Sequence, residues 1–258
     1  MTQTERRLFL IKELLAEDSR FERYFPEEMS TEEQKNLLRA LMNVRLPAPL
    51  SDAFLKVQDA YLKQELEGKG VTDLDDLTPM EEDIYLWQGD ITTLRCDAIV
   101  NAANSQMLGC FHPLHNCIDN CIHTYAGLAL RNKCHELMQK QGYEEPTGAA
   151  KITPAYNLPC RYVLHTVGPI VSTALNDEHR ALLRSCYTSC LALAEENGVR
   201  SLAFCCISTG VFGFPQQAAA EIAVSTVREY KQRTGSRMKI IFNVFKDEDR
   251  RIYESLLG

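Results

Sequence analysis

The stretch Leu202–Pro215, LAFCCISTGVFGFP, reads as a buried strand over Leu202–Ile207, then a loop with two hydroxyls and two glycines, then a helix opened by Pro215. Proline suits a first helical turn because the N–H it lacks would have no partner there. Two further elements follow: an apolar strand over Met238–Val244 and a closing helix over Glu248–Leu257. Upstream the same grammar holds. A long helix from about Asp177 to Glu196 stops before Gly198, where glycine is a suitable terminator. Strands are expected at Ala149–Thr153 and Tyr162–Thr166, helix within Ile118–Met138, and short apolar strands at Ile84–Trp87 and Ala98–Val100. Strands that alternate with helices predict an α/β sandwich, with helices on both faces of a mixed sheet and a ligand beyond the strand ends.

The first eighty or so residues differ. Leu8, Phe9, Ile11, Leu14 and Leu15 fall at helical spacing, Ser30 with Glu33 forms a capping-box pattern before Leu37, Leu38 and Leu41, and Phe54, Leu55, Tyr61 and Leu62 mark a third amphipathic helix. The polar run Thr72–Asp83 separates this part from the strand at Ile84, so the predicted division is a helical extension over 1–82 and an α/β domain over 83–258. The extension is either a platform for a substrate protein or a cap that buries its apolar stripes against the domain.

A net charge of −7 excludes a broad electrostatic surface for nucleic acid or anionic membrane, and 45% apolar residues suffice for a sizeable core. The chain shows no charged-then-apolar leader and no apolar run long enough to cross a bilayer. Its ten cysteines, Cys205 and Cys206 among them in a buried-looking strand, therefore read as reduced thiols in a cytoplasmic setting.

Chemistry concentrates in Asn101–Gly127, NAANSQMLGCFHPLHNCIDNCIHTYAG. Cys110, His115 and Cys117 stand in C-x4-H-x-C spacing, close enough for one loop to aim two sulfurs and an imidazole at one centre. Borderline-soft Zn2+ takes such ligands tetrahedrally, and three of them leave one position open for chemistry. Cys121, His112 or His123 could instead complete a closed structural site, and a cysteine can also be no more than a small buried hydrophobe.

Three other features bear on ligand binding. Ser208, Thr209, Gly210, Val211, Phe212, Gly213 and Phe214 form either a diphosphate cradle of backbone amides or a structural turn, matching neither common nucleotide fingerprint. Asp90, after Gly89, can accept a bond from an exocyclic amine or cap a turn, and Asn101 and Asn104 can bond sugar hydroxyls or serve the strand exit. His165, in a strand between Leu164 and Thr166, reads as a structural histidine.

Taken together, GDIT at Gly89–Thr92, DAIVNAAN at Asp97–Asn104, IDNCIHTYAG at Ile118–Gly127 and ISTGVFGFP at Ile207–Pro215 resemble the macrodomain family in order, spacing and content. The resemblance covers about Asp83–Gly258. It implies a three-layer α/β/α domain that binds ADP-ribose, with Asp90 on the adenine amine, Ile91 lining that end, Phe245 packing on the base, Ser208–Phe214 around the diphosphate and Asn104 facing the distal ribose.

In the commoner hydrolytic members, an aspartate like Asp119 follows a run of glycines, which Gly109–Cys117 replaces here. The chain is similar in this to a zinc-dependent microbial subgroup that carries the Cys-His-Cys insertion and a helical extension. That subgroup is linked with sirtuin-like transferases that modify lipoyl-carrier proteins. The resemblance therefore implies a Zn2+-dependent hydrolase that frees ADP-ribose from mono-ADP-ribosylated protein, with Cys110, His115 and Cys117 as metal ligands and Asp119 and Asn104 as catalytic residues. The competing reading is a non-catalytic reader of ADP-ribose with a structural zinc, which a fourth ligand such as Cys121 would favour.

Overall fold

Thr2 and Ser30 each accept the backbone N–H three residues on, while Glu5 and Glu33 reach back to the N–H of the cap. These two capping boxes start α1 (Gln3–Ala16) and α2 (Thr31–Val44). Ser51 caps α3 (Asp52–Lys69), and Gly70 stops it at φ +84, a conformation that favours glycine. The computed structural model describes residues 1–17 and 24–258. The inward stripes of the three helices meet in a cluster of their own, with Leu10, Ile11, Leu14, Leu38, Leu41, Met42, Phe54, Tyr61 and Leu62 buried. Leu128 of the following domain completes that cluster, so the extension has its own small core and seals it on the domain.

The polar run after α3 is more than a linker. Thr72–Asp73 (β1) pairs in parallel with Leu94–Arg95 (β4), and Pro79–Glu81 (β2) runs antiparallel to Ile84–Gln88 (β3) at one edge of the main sheet. The remaining strands are β5 (Ala98–Ala103), β6 (Ala150–Pro154), β7 (Tyr162–Val167), β8 (Ser201–Phe204) and β9 (Lys239–Val244). Among the described residues they build a seven-stranded sheet in the order β2-β3-β9-β8-β5-β7-β6, parallel from β3 to β7 and antiparallel at both edges. The inner strands are buried almost throughout, as strands covered on both faces must be. Helices α6 (Asp177–Glu196), α7 (Gln216–Thr234) and α8 (Asp247–Leu257) pack side by side on one face. Helices α4 (Ile118–Ala126) and α5 (Leu128–Gln141) cover the other, and α4 also meets α2.

Two details depart from the sequence expectation. The strand expected over Leu202–Ile207 ends at Phe204, because β5 pairs with β8 only at Ala98 and Ile99 and the two strands then part. Cys205–Ile207 continue without a ladder partner into the glycine loop, and the parting strands open the sheet at that end. Pro215 sits one residue earlier than expected, as the residue that caps α7 rather than within its first turn.

Candidate active site at the carboxyl ends of the strands

Because β3, β9, β8, β5 and β7 are parallel, the residues that follow them emerge along one edge of the sheet. In spatial order these are Asp90 after β3, Phe245 after β9, the 205–214 loop after β8, Asn104 after β5 and Gly168 after β7. The step from β3 to β5 is three strand spacings, roughly 14 Å. Such an edge, with a sheet that opens in its middle, is where α/β proteins hold nucleotide-sized ligands.

At the β3 end, Asp90 Oδ1 accepts from the backbone N of Thr92 at 3.0 Å and from Thr92 Oγ1 at 2.6 Å. Its Oδ2 faces Lys69 Nζ at 3.1 Å, so the carboxylate both caps a turn and forms an ion pair with the extension. Lys69 also lies 3.4 Å over the Tyr125 ring centroid. Ile91 is 1% exposed and belongs to the core, whereas Phe245 is 76% exposed beside the edge.

The β8 loop turns on Ser208, at φ +65, and its own carbonyl accepts Phe214 N at 3.0 Å. Gly213 N closes onto Gly210 O at 3.1 Å, and Val171 N donates to Phe212 O at 2.8 Å. The amides of Gly210, Val211 and Phe212 donate to nothing among the described residues, and Gly210 and Val211 are exposed. Consecutive free N–H groups of this kind form an anion-binding concavity. Phe214, by contrast, is 2% exposed and anchors the loop in the core. The Ser208 hydroxyl is buried without a partner among the described residues, and a Cβ on Gly168 would come within 2.1 Å of it.

At the β5 end, Asp119 in the first turn of α4 is 5% exposed. Asn101 Nδ2 donates to its Oδ1 at 2.8 Å, and Asn104 Nδ2 lies 3.3 Å from its Oδ2. Burial raises the carboxyl to about 6, against the Asn101 hydrogen bond and the positive charge of Arg131, which pull it down. Asn101, read from sequence as able to bond a sugar, is fully buried and works from beneath the carboxylate instead. The Oδ1 of Asn104 accepts Gln106 N and Met107 N, each at 3.1 Å, which shapes the loop that follows.

That loop gathers Cys110, His115 and Cys117 so that their donor atoms all lie within 4.8 Å of one another. Cys110 Sγ is 3.5 Å from His115 Nδ1. Tetrahedral zinc, with bonds of about 2.3 Å to sulfur and about 2.0 Å to nitrogen, sets such a pair about 3.5 Å apart, so the donor set fits that ion. Burial, together with the negative charges of Cys110 and Asp119, pushes the Cys117 thiol up to about 12, so a nearby cation would be needed to hold that sulfur as a thiolate. Neither His112, Cys121 nor His123 joins the group. Cys121 Sγ instead lies 3.9 Å from Arg39 Nη2.

A second cluster, His123, Cys134 and His165, is fully buried. His165 lies 3.1 Å from Asn101 Nδ2 and 2.9 Å from Thr153 Oγ1, so Nδ1 accepts from the asparagine and Nε2 carries the proton. Both its nitrogens are thereby used, in line with the structural histidine expected. His123 Nε2 lies 3.6 Å from Asp119 Oδ1, and burial holds its ring neutral. Gly109, at φ +83, packs directly on that ring, where a Cβ would come within 2.8 Å.

Sequence reading gave no hint of four residues that brace this edge, three at the β5 end and one at the β3 end. Arg39 and Asn43 of α2 bond the Cys-His-Cys loop, Arg131 of α5 donates to Leu108 O and Met42 O, each at 2.8 Å, and Lys69 reaches Asp90. Arg39 and Asn43 share their helix face with Glu32, Lys35 and Asn36, so the sequence does not set them apart from a solvated face.

The Macro domain family model matches residues 100–223. The chain is 58% identical over 263 residues to a protein of Treponema medium named protein-ADP-ribose hydrolase, with all of both chains covered. It is 53% identical over 227 residues to a Staphylococcus aureus protein of the same name, covering 87% of this chain and 85% of the other. Among solved structures, a Trypanosoma brucei macrodomain in complex with ADP-ribose superposes with a TM-score of 0.66 at 32% identity, covering 90% of this chain and 97% of that one.

Proposed function

The chain belongs to the macro domain family, and we propose that it is a zinc-dependent hydrolase that releases ADP-ribose from mono-ADP-ribosylated proteins. The observation that carries this reading is the strand order. It runs from a carboxylate and an exposed aromatic (Asp90, Phe245), through three free amides (Gly210–Phe212), to Asn104, Asp119 and the Cys-His-Cys group. Base, diphosphate and distal ribose have the same order in ADP-ribose. The relatives named as hydrolases and the ADP-ribose complex of the Trypanosoma brucei protein support the same assignment.

In this reading Asp90 receives the adenine amine, the loop amides hold the diphosphate, and Asn104 faces the distal ribose. Binding energy from these remote parts orients the scissile bond. Hydrolysis breaks the link between the distal ribose and the acceptor side chain, water giving its hydroxyl to one product and its proton to the other. Asp119, held by Asn101 and Asn104, takes the proton from the attacking water. Cys110, His115 and Cys117 would hold a zinc ion, which would supply Lewis acidity beside the distal ribose. Cys121, His112 and His123 stay out of the donor group, which supports the hydrolase over the reader.

Among the described residues no helix is long and apolar enough to cross a membrane. The cysteines are unpaired thiols, which supports a reducing, cytoplasmic setting. The test is release of free ADP-ribose from a mono-ADP-ribosylated acceptor, a lipoyl-carrier protein among those tried, by protein of measured zinc content. Turnover is expected. No release from several acceptor linkages at full zinc occupancy would leave the reader in its place.

A further inference from the structure

The loop that carries the metal ligands has little regular structure of its own. Within it His115 N donates to His112 O at 3.2 Å, and Asn120 of α4 donates to the carbonyls of Cys110 and His112 at 3.2 and 3.0 Å. Leu114, the residue before His115, is held at φ +58, a left-handed conformation that strains a bulky side chain. Something outside the loop must hold that turn.

Helix α2 does so from the extension. Arg39 Nη2 donates to the carbonyl oxygen of His115 at 2.8 Å, and lies 3.2 Å from both Asn116 Oδ1 and Asn120 Oδ1. One turn further along the same face, Asn43 accepts the N–H of Leu114 at 3.0 Å and donates to Thr124 Oγ1 at 2.9 Å. Asn43 is 1% exposed. The helix is fixed in turn from the domain side, since Arg131 donates to carbonyls near its end, Met42 O at 2.8 Å and Arg45 O at 2.5 Å.

We infer that the N-terminal helical unit is part of the metal site: Arg39 and Asn43 are positioning residues that clamp residues 114–116 and so set the His115 ligand against Cys110 and Cys117. This rests on the zinc reading above. The clamp touches the backbone of the ligand loop and neither the β8 loop nor Asp90. Loosening it therefore frees the metal without loosening the nucleotide.

The experiment uses the full zinc-loaded chain and measures the rate at which zinc passes to a chromogenic chelator, alongside the dissociation constant for ADP-ribose. Arg39→Met and Asn43→Ala are each expected to release zinc about tenfold faster or more, with ADP-ribose affinity within about twofold of the parent. Arg39→Lys keeps a charge and donors but not the fork, and should fall between. Lys35→Ala, on the same helix and paired among the described residues with Glu65, is the control and should release zinc at the parent rate. Parent-like release from both Arg39→Met and Asn43→Ala overturns the inference while the zinc reading stands. Equal acceleration by Lys35→Ala also overturns it, since the effect is then general loosening. If Arg39→Met does not fold, Asn43→Ala against Lys35→Ala decides. A parent chain that holds no zinc sinks the metal reading itself, and the inference with it.

Discussion

Asn101 donates its side-chain amide to Asp119 Oδ1 across 2.8 Å, tying the inner strand β5 to the first turn of α4. Asn101 is fully buried, so its loss strands a buried carboxylate with one donor fewer. Replacing it by Ala should cost about 1–3 kcal/mol of stability and lower turnover as well. Chemical denaturation and ADP-ribose release, measured on one preparation, check both. Parent-like turnover in a correctly folded variant would detach Asn101 from the mechanism.

Replacing Asp119 by Ala should lower turnover by about 10²–10⁴-fold, the range of general acid–base contributions. The carboxylate lies at the opposite end of the edge from Asp90, with the β8 loop between. ADP-ribose affinity should accordingly change little. Calorimetric titration with ADP-ribose beside a turnover assay separates the two, and unchanged turnover removes Asp119 from the chemistry.

Chelation should strip one zinc per chain and abolish turnover, and Cys110→Ser should bind zinc weakly for want of a thiolate. Metal analysis before and after dialysis gives the stoichiometry. Activity that survives complete stripping would reduce the metal to a brace for the loop.

Acid should destabilise the zinc-free fold. Burial holds His165 down to about 3, against 6.5 for a free histidine, so the unfolded chain takes up its proton first as pH falls below 6.5. Stability from this group is therefore present above 6.5 and is lost progressively towards 3. His123, also driven down by burial, acts in the same sense. Asp119 opposes them: its carboxyl, raised from 3.8 to about 6, contributes stability that is lost as pH rises through 6. Two imidazoles against one carboxyl make the net slope positive. Urea midpoints should fall from pH 7 to pH 5, and less so in His165→Gln. A midpoint that rises on acidification would contradict this account.

Gly213→Ala should strain the β8 loop. Gly213 has φ +68, and a Cβ there would come within 2.9 Å of the Val171 carbonyl oxygen. A cost of about 1–3 kcal/mol is expected, with weakened ADP-ribose binding as the free amides shift. Thermal melts and titration with ADP-ribose test the pair of effects together.

Much of this was written in the chain itself. The capping pair Ser30–Glu33, the α6 limits at Asp177 and Glu196, and the strands at Ile84, Ala98, Tyr162 and Met238 are local signals of side-chain chemistry and period, and the fold follows them closely. The Cys110, His115 and Cys117 spacing is also local, eight residues from first donor to last, although the geometry of their convergence is not.

What the sequence could not carry is everything that joins distant segments. Asn101 looks like its neighbour Asn104 in the sequence, yet strand alternation and the approach of α4 bury one beneath Asp119 and leave the other at the loop. The early end of β8 depends on β5 parting from it after Ile99, a matter of sheet register. Arg39, Asn43 and Lys69 lie 21 to 76 or more residues from the groups they hold, and nothing in their own surroundings announces a partner. Periodicity and capping are properties of a few adjacent residues, so the sequence by itself determined the elements and the ligand triad. Hydrogen bonds between segments exist only once the chain has folded, so the tertiary structure alone decided that the helical extension holds the Cys-His-Cys loop.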